Sequence, residues 1–311
     1  MNTPLLLVLI AMSEKRLSAL RPLFEVLHAP DAARRAAAIA AHGPRVRAVL
    51  TNGTTGLSAA EIDAMPQLTL ACALGAGYEG IAVEHARARG IVMANGAGTN
   101  DDCVADHAFA LLLAGMRGIV PLDAACRQGV WRDALPMRPK PSGKRLGILG
   151  LGTIGRQIAQ RAVGFEMAVG YHNRSRRADV PHAYFDSAES LAQWCDMLVV
   201  ATPGGASTRH LVNATVLQAL GPEGFIVNVA RGSVVDTEAL ADAMRSGRIA
   251  GAALDVYESE PVPPTALLDL PNVVLTPHVA GWSPESVQAS VQCFIENARR
   301  HLAGEPVLTP I

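Results

Sequence analysis

Short apolar runs recur through the first third of the chain, at residues 5–10, 46–51, 68–73 and 91–94, each too short for a buried helix. They read as strands buried on both faces, the pattern of a parallel sheet. Between them, residues 58–65 and 83–89 read as helices, and an alanine-rich stretch at 32–41 as another. Ser58 followed by Glu61 predicts a capping box. This alternation implies crossover connections and an α/β fold. From 102 to 117 a helix rich in alanine and leucine is apolar on most sides, more than one domain's surface needs, which marks it as an interdomain or subunit-contact helix. Residues 131–142 contain Pro136, Pro139 and Pro141 and cannot form a regular helix. The alternation then resumes with strands at 197–200, 225–229, 250–254 and 273–275. A long amphipathic helix at 284–303 follows, opened by Ser283 and Pro284.

The second alternating region begins with an apolar run, 146–149, that feeds glycines at 150, 152 and 155. Gly150 permits a tight bend out of the strand, Gly152 leaves the backbone open to a pyrophosphate, and Gly155 lets a helix pack close to the sheet. Thr153 and Ile154 open that helix, predicted over 153–163 and followed by a strand at 167–171. Its N-terminus would direct unpaired N–H groups and a partial positive charge at the phosphates. A tight strand-to-helix turn without ligand has the same glycines, but the flanking elements fall where a dinucleotide-binding unit needs them. Nearly half the chain precedes the turn, so a separate domain comes first.

With 311 residues, two domains are expected. The formal net charge of −1 and the dispersed Lys and Arg argue against a nucleic-acid binder. Five cysteines without a CxxC pair suit reduced thiols in a cytoplasmic protein. The apolar start lacks a basic leader and meets Glu14, Lys15 and Arg16, which fits a buried first strand better than a signal peptide. No run reaches the length of a membrane span. No HxxxH or His/Asp cluster suggests a metal, so none is expected, and His107 reads as interfacial rather than catalytic.

The strand after the glycine turn bears on the choice of cofactor. An NAD site uses a carboxylate there to accept from the ribose 2′-hydroxyl, whereas this chain has Asn173, Arg174, Ser175, Arg176 and Arg177, with no acid before Asp179. Arg174, with Ser175 and Arg176, could grip a 2′-phosphate by charge-assisted bonds. A solvated basic loop is the alternative. The expected cofactor is NADPH/NADP+, with NADH weaker.

Three downstream residues follow predicted strands, where an open α/β sheet places its ligands. Arg231 lies in Asn228-Val-Ala-Arg-Gly-Ser, Glu260 in Asp255-Val-Tyr-Glu-Ser-Glu-Pro, and His278 in Thr276-Pro-His-Val-Ala-Gly281. A guanidinium can pair with a carboxylate and stabilise charge developing on an adjacent carbonyl. An imidazolium can protonate an alkoxide near neutral pH, and a neighbouring carboxylate would favour that charged form. Singly, each has a plainer alternative, Arg231 as a cofactor-phosphate ligand only, Glu260 as a surface acid and His278 as a loop residue; the joint pattern argues otherwise.

These motifs in this order, behind a mid-chain GxGxxG, resemble the D-isomer-specific 2-hydroxyacid dehydrogenases. The likeness extends to Leu74-Gly-Ala-Gly-Tyr-Glu-Gly-Ile81 and Val104-Ala-Asp106 and covers nearly the whole chain. It implies that Arg231, Glu260 and His278 are catalytic, and that the backbone around Leu74, Ala76 and Gly77 cradles the substrate carboxylate, with Arg231 and His278 also contacting substrate. Thr202, Pro203, Val229, Ala230 and Gly281 match cofactor-lining positions, and Asp255 the acid on the nicotinamide side. Asp101 departs from a Thr common in the family, and Trp282 from a small residue. Two Rossmann-like domains are implied: a flavodoxin-like substrate domain of residues 1–98 and 285–311 and an inserted dinucleotide-binding domain of residues 99–284. Substrate is expected in the cleft between them, and a homodimer is expected. The basic loop resembles NADPH-linked glyoxylate/hydroxypyruvate reductases, which reduce a small 2-oxo acid to the D-2-hydroxy acid with the histidine as proton donor. Reductases of phenylpyruvate or 2-ketogluconate type, and dinucleotide-sensing corepressors with this fold, remain alternatives.

Overall fold

The apolar runs become strands of two separate parallel sheets in the computed structural model, which describes residues 3–311. The chain forms two compact units, one running to Asn100 and resuming at Trp282 to Ile311, the other spanning Asp101–Gly281. The second division precedes residue 284 because Ser283 caps the last helix, its Oγ accepting from the Ser286 N–H at 3.0 Å. The capping residue and its neighbours therefore go with that helix.

In the first unit the order along the chain is β1 (Leu5–Val8), α1 (Glu14–Leu20), β2 (Glu25–His28), α2 (Ala32–His42), β3 (Val46–Thr51), α3 (Ala59–Asp63), β4 (Leu70–Ala73), α4 (Val83–Ala88) and β5 (Val92–Ala94). The sheet order β2-β1-β3-β4-β5 is that of a flavodoxin-like domain. The sequence pattern misses β2, an edge strand with no fully buried residue, because an edge needs no continuous apolar run. The predicted capping box forms at Ser58 and Glu61. The last helix, Pro284–Leu302, lays Val291, Phe294, Ile295 and Ala298 on Leu6, Leu50 and Leu70, which closes one face of the sheet.

The second unit continues with α5 (Asp101–Arg117), α6 (Ile119–Arg127), β6 (Arg145–Leu149), α7 (Thr153–Val163), β7 (Ala168–His172), β8 (Ala183–Phe185), α8 (Ala188–Trp194), β9 (Met197–Val200), α9 (Ala214–Leu220), β10 (Phe225–Asn228), α10 (Thr237–Arg245), β11 (Gly251–Leu254) and β12 (Val273–Leu275). Its sheet order, β12-β11-β10-β9-β6-β7-β8, reverses between β6 and β9. That is the doubly wound dinucleotide fold with its switch point beside the glycine turn.

Helix α5 is apolar and largely buried, as expected, and it packs within its own unit. Its apolar side packs against β10, β11, β12 and α7, with Val104, Ala108, Phe109 and Leu112 buried among Phe225, Val227 and Ile158. The helix is apolar because it serves as a core element of the second unit. Exposed apolar surface lies on the next segment, where Ile119, Val120, Trp131 and Met137 are all more than half exposed. No single helix among the described residues is long and apolar enough to cross a membrane; α5 and α6 meet the length and composition only as a pair, bent by 57°.

Candidate active site

The glycine turn is shaped by contact on one side and open space on the other. Gly150 takes φ +96°, and a Cβ there would lie 2.7 Å from the Thr202 Cα, so the turn after β6 presses on the chain leaving β9. At Gly155 a Cβ would collide with the Gly150 carbonyl, whereas one at Gly152 would meet nothing within 4 Å. Helix α7 begins there without a side-chain cap, which leaves Thr153 and Ile154 at an open, partially positive helix end. A pyrophosphate fits this surface.

Beyond β7, Asn173 is tied to the glycine turn, its Oδ1 accepting the Leu151 N–H at 2.7 Å. Arg174, Ser175 and Arg176 are exposed, and neither guanidinium has an ion-pair partner among the described residues. Asp179 pairs with Arg156 at 2.5 Å and Arg177 at 3.3 Å. Those two hydrogen-bonded guanidiniums hold its carboxyl down to about 2. The first acid after the strand is therefore engaged, and two free cations precede it.

Thr202 and Pro203 follow β9, and Val229, Ala230 and Arg231 follow β10. The buried side chain of Asn228 sets this last loop, its Oδ1 accepting from Ala230 N at 3.0 Å and its Nδ2 donating to Arg231 O at 3.1 Å. Arg231 Nη1 donates to the Ala230 carbonyl at 2.6 Å. After β11, Asp255 is 1% exposed. Its Oδ1 accepts from Thr276 Oγ1 at 2.5 Å and Val279 N at 2.9 Å, and its Oδ2 from Ala280 N at 2.8 Å. Asp255 thus folds the loop that ends at Gly281. Burial would raise its carboxyl, but the bonds from His107, Thr276 and the two amides outweigh that and lower it.

His107 reaches the same loop. Projecting from α5, its Nε2 lies 3.0 Å from Thr276 Oγ1 and 3.5 Å from Asp255 Oδ1, so it belongs to the support of this loop. Nothing in the sequence pattern marks Asn228, Thr276 or His107 as a support of these loops.

The loop presents His278 in a conformation that side chains rarely adopt. Its φ is +55°, at a cost on the order of 1 kcal/mol, and its N–H is held by the Asp255 carbonyl at 2.8 Å and the Thr276 carbonyl at 3.0 Å. His278 Nδ1 lies 2.7 Å from Glu260 Oε2, and Glu260 Oε1 accepts the Tyr257 N–H at 2.8 Å. Burial would raise the Glu260 carboxyl, but the His278 bond, the Tyr257 amide and the nearby charges of His278 and Arg231 hold it below its usual value. The bond to Glu260 raises the His278 pKa against desolvation and the Arg231 charge. An ionised Glu260 only accepts, so Nδ1 carries a proton and Nε2 faces away without a partner among the described residues. Replacing Glu260 with Gln should move the His278 titration toward acid pH, read by NMR of the imidazole. An unmoved titration would show that the carboxylate does not set it.

In the first unit, Leu74, Ala76 and Gly77 lie in the loop after β4. The N–H groups of Ala76 and Gly77 donate to nothing among the described residues, which leaves two adjacent donors for an anion.

The D-isomer specific 2-hydroxyacid dehydrogenase NAD-binding domain model matches residues 109–280. The chain belongs to the D-isomer-specific 2-hydroxyacid dehydrogenase family. It is 37% identical to a hydroxyphenylpyruvate reductase of Plectranthus scutellarioides, over 88% of each chain. It is 38% identical to a glyoxylate/hydroxypyruvate reductase of Arabidopsis thaliana, over 87% of each. Among solved structures it resembles an NADPH-dependent glyoxylate/hydroxypyruvate reductase of Sinorhizobium meliloti in complex with NADP and malonate. That likeness has a TM-score of 0.93 at 38% identity and covers 100% of this chain and 97% of the other.

Proposed function

We propose that this family member reduces a small 2-oxo acid of glyoxylate or hydroxypyruvate type to the D-2-hydroxy acid, with NADPH as cofactor. The observation that carries the reading is the His278–Glu260 pair. It stabilises a charged imidazole on Nδ1 and leaves the opposite ring nitrogen free to give a proton to substrate. A bound reduced nicotinamide supplies the hydride that reduces C2 of the oxo acid. Arg231 pairs with the carboxylate and stabilises the negative charge growing on the carbonyl oxygen. His278 gives its Nε2 proton to that oxygen, and the neutral ring keeps its Nδ1–H on Glu260. In the oxidative direction the neutral Nε2 takes the proton back. The unpartnered N–H groups of Ala76 and Gly77 bind the substrate carboxylate. Gly150, Gly152 and Gly155 with the start of α7 hold the pyrophosphate, and Asp255 orients the loop on the nicotinamide side.

The NADPH preference rests on Arg174 and Arg176, exposed and without an ion-pair partner, together with the engagement of Asp179 by Arg156 and Arg177. A guanidinium near a phosphate at an exposed site contributes on the order of 1–4 kcal/mol, and solvent screening places this pair toward the lower end. We expect kcat/KM about tenfold higher with NADPH than NADH. The double substitution Arg174→Ala, Arg176→Ala should abolish that margin while leaving NADH turnover within about twofold. The assay follows reduced-nicotinamide absorbance with glyoxylate, hydroxypyruvate, hydroxyphenylpyruvate and 2-ketogluconate. Equal or better efficiency with NADH would reject the cofactor assignment, and no turnover of any acid would reject the reductase reading.

A further inference from the structure

The first unit shows how the two carboxylate donors are aimed. Across a trans peptide the C=O and N–H point in opposite directions, so whatever holds the carbonyl orients the N–H. The peptide ending in the Ala76 N–H has its carbonyl, Gly75 O, held by Gly96 N at 2.9 Å. The peptide ending in the Gly77 N–H has its carbonyl, Ala76 O, held by Asn95 Nδ2 at 2.8 Å. The first bond is backbone to backbone and needs no side chain; a Cβ at position 96 would collide with the Leu74 carbonyl oxygen. The second comes from a side chain, so it depends on Asn95.

The Asn95 amide has one orientation. Its Oδ1 accepts the Ala97 N–H at 3.2 Å, so Nδ2 must face Ala76, and the residue is only 7% exposed. Its own backbone is held by the C-terminal tail, with Asn95 N donating to Thr309 O at 3.1 Å and Thr309 Oγ1 donating to Asn95 O at 2.5 Å. Thr309 is tied in turn to Asn297 of the last helix. Asn297 Nδ2 donates to Thr309 Oγ1 at 2.9 Å, and its Oδ1 accepts the N–H groups of Leu308 and Thr309 at 2.7 and 3.2 Å. A hydrogen-bonded chain therefore runs from a fully buried Asn297 through Thr309 and Asn95 to the peptide that carries the Gly77 N–H.

We propose that Asn95 is a positioning residue for the substrate carboxylate: it holds the Ala76 carbonyl so that the Gly77 N–H is presented to the anion, and Thr309 and Asn297 keep it in place. The inference rests on the reading of Ala76 and Gly77 as carboxylate donors. An N–H that is misaimed weakens a charge-assisted bond in the bound and transition states alike, so the loss falls on KM. Asn95→Ala should raise KM for the 2-oxo acid about tenfold and weaken oxalate binding, measured by calorimetry, to the same extent. It should leave kcat within about threefold and KM for NADPH within about twofold. Thr309→Val should do the same by about two- to threefold.

Asn95→Asp keeps the shape and the acceptor toward Ala97 but turns an acceptor toward the Ala76 carbonyl. Its KM relative to the parent should be highest at alkaline pH and recover as the pH falls, because the protonated carboxyl regains a donor. A purely structural role would produce no such recovery. Parental KM and oxalate affinity in both Asn95 variants, or a parallel loss of kcat and NADPH affinity, would overturn the assignment of Asn95 and leave the reductase reading standing. A parent protein that neither binds oxalate nor reduces a 2-oxo acid would overturn both.

Discussion

His278→Ala should lower kcat for 2-oxo acid reduction by about 10²–10⁴-fold, with NADPH affinity unchanged. Without the imidazole, the oxygen left negative by hydride addition must take its proton from water, and the bond from Glu260 has nothing to orient. Steady-state kinetics at saturating NADPH measures the loss, and cofactor fluorescence titration checks that binding survives. Turnover within a few-fold of the parent would remove His278 from the reaction. The parent's reductive rate should also fall as pH rises through the His278 pKa, because the protonated ring is the donor. Glu260 raises that pKa, so activity persists to higher pH than an unperturbed histidine near 6.5 would allow. Glu260→Gln should bring the fall to lower pH.

Arg231→Ala should cost about 10²–10³-fold in kcat/KM, through loss of both carboxylate pairing and stabilisation of the carbonyl oxygen. Arg231→Lys should recover only part, since an ammonium lacks the planar fork that meets a carboxylate with two parallel bonds. The Arg231 charge lowers the His278 pKa, so its removal should also shift the reductive pH profile to higher pH, opposite to Glu260→Gln. A pH–rate series on the two variants separates them. Near-parental efficiency in Arg231→Ala would refute its placement on substrate.

The elements legible in the sequence were those with an unbroken apolar run or a clear helical period. β9 and β12 match the apolar runs at 197–200 and 273–275, and α7 coincides with the helix expected at 153–163. β2 and β8 were not legible: β2 has only Val26 and Leu27 between Glu25 and His28, and β8 is three residues, Ala183–Phe185, without an aliphatic run. By contrast β12, likewise an edge strand with no fully buried position, keeps Val273, Val274 and Leu275. Helix α5 was legible as a buried helix, but composition does not name what buries it, and the sheet of its own unit is one partner. The candidate site divides in the same way. Arg231, Glu260 and His278 stood out by type and motif, whereas Thr276 and His107 act through partners far along the chain, Thr276 lying 169 positions from His107.

By itself the sequence determined the chemistry on offer: a dinucleotide-binding glycine turn in mid-chain, a basic loop where an NAD site has an acid, and three polar residues at the ends of apolar strands. Such features are local, because strand burial, turn glycines and side-chain type depend on near neighbours. Only the tertiary structure decided how these groups are held and charged. It placed Glu260 against Nδ1 of His278, turned Asn173 inward onto the glycine turn, engaged Asp179 away from the cofactor loop, and set Asn95 behind the Ala76–Gly77 peptide. Hydrogen bonds and charge interactions act through distances of a few ångströms between residues that chain order leaves far apart, and only the fold brings them within that range.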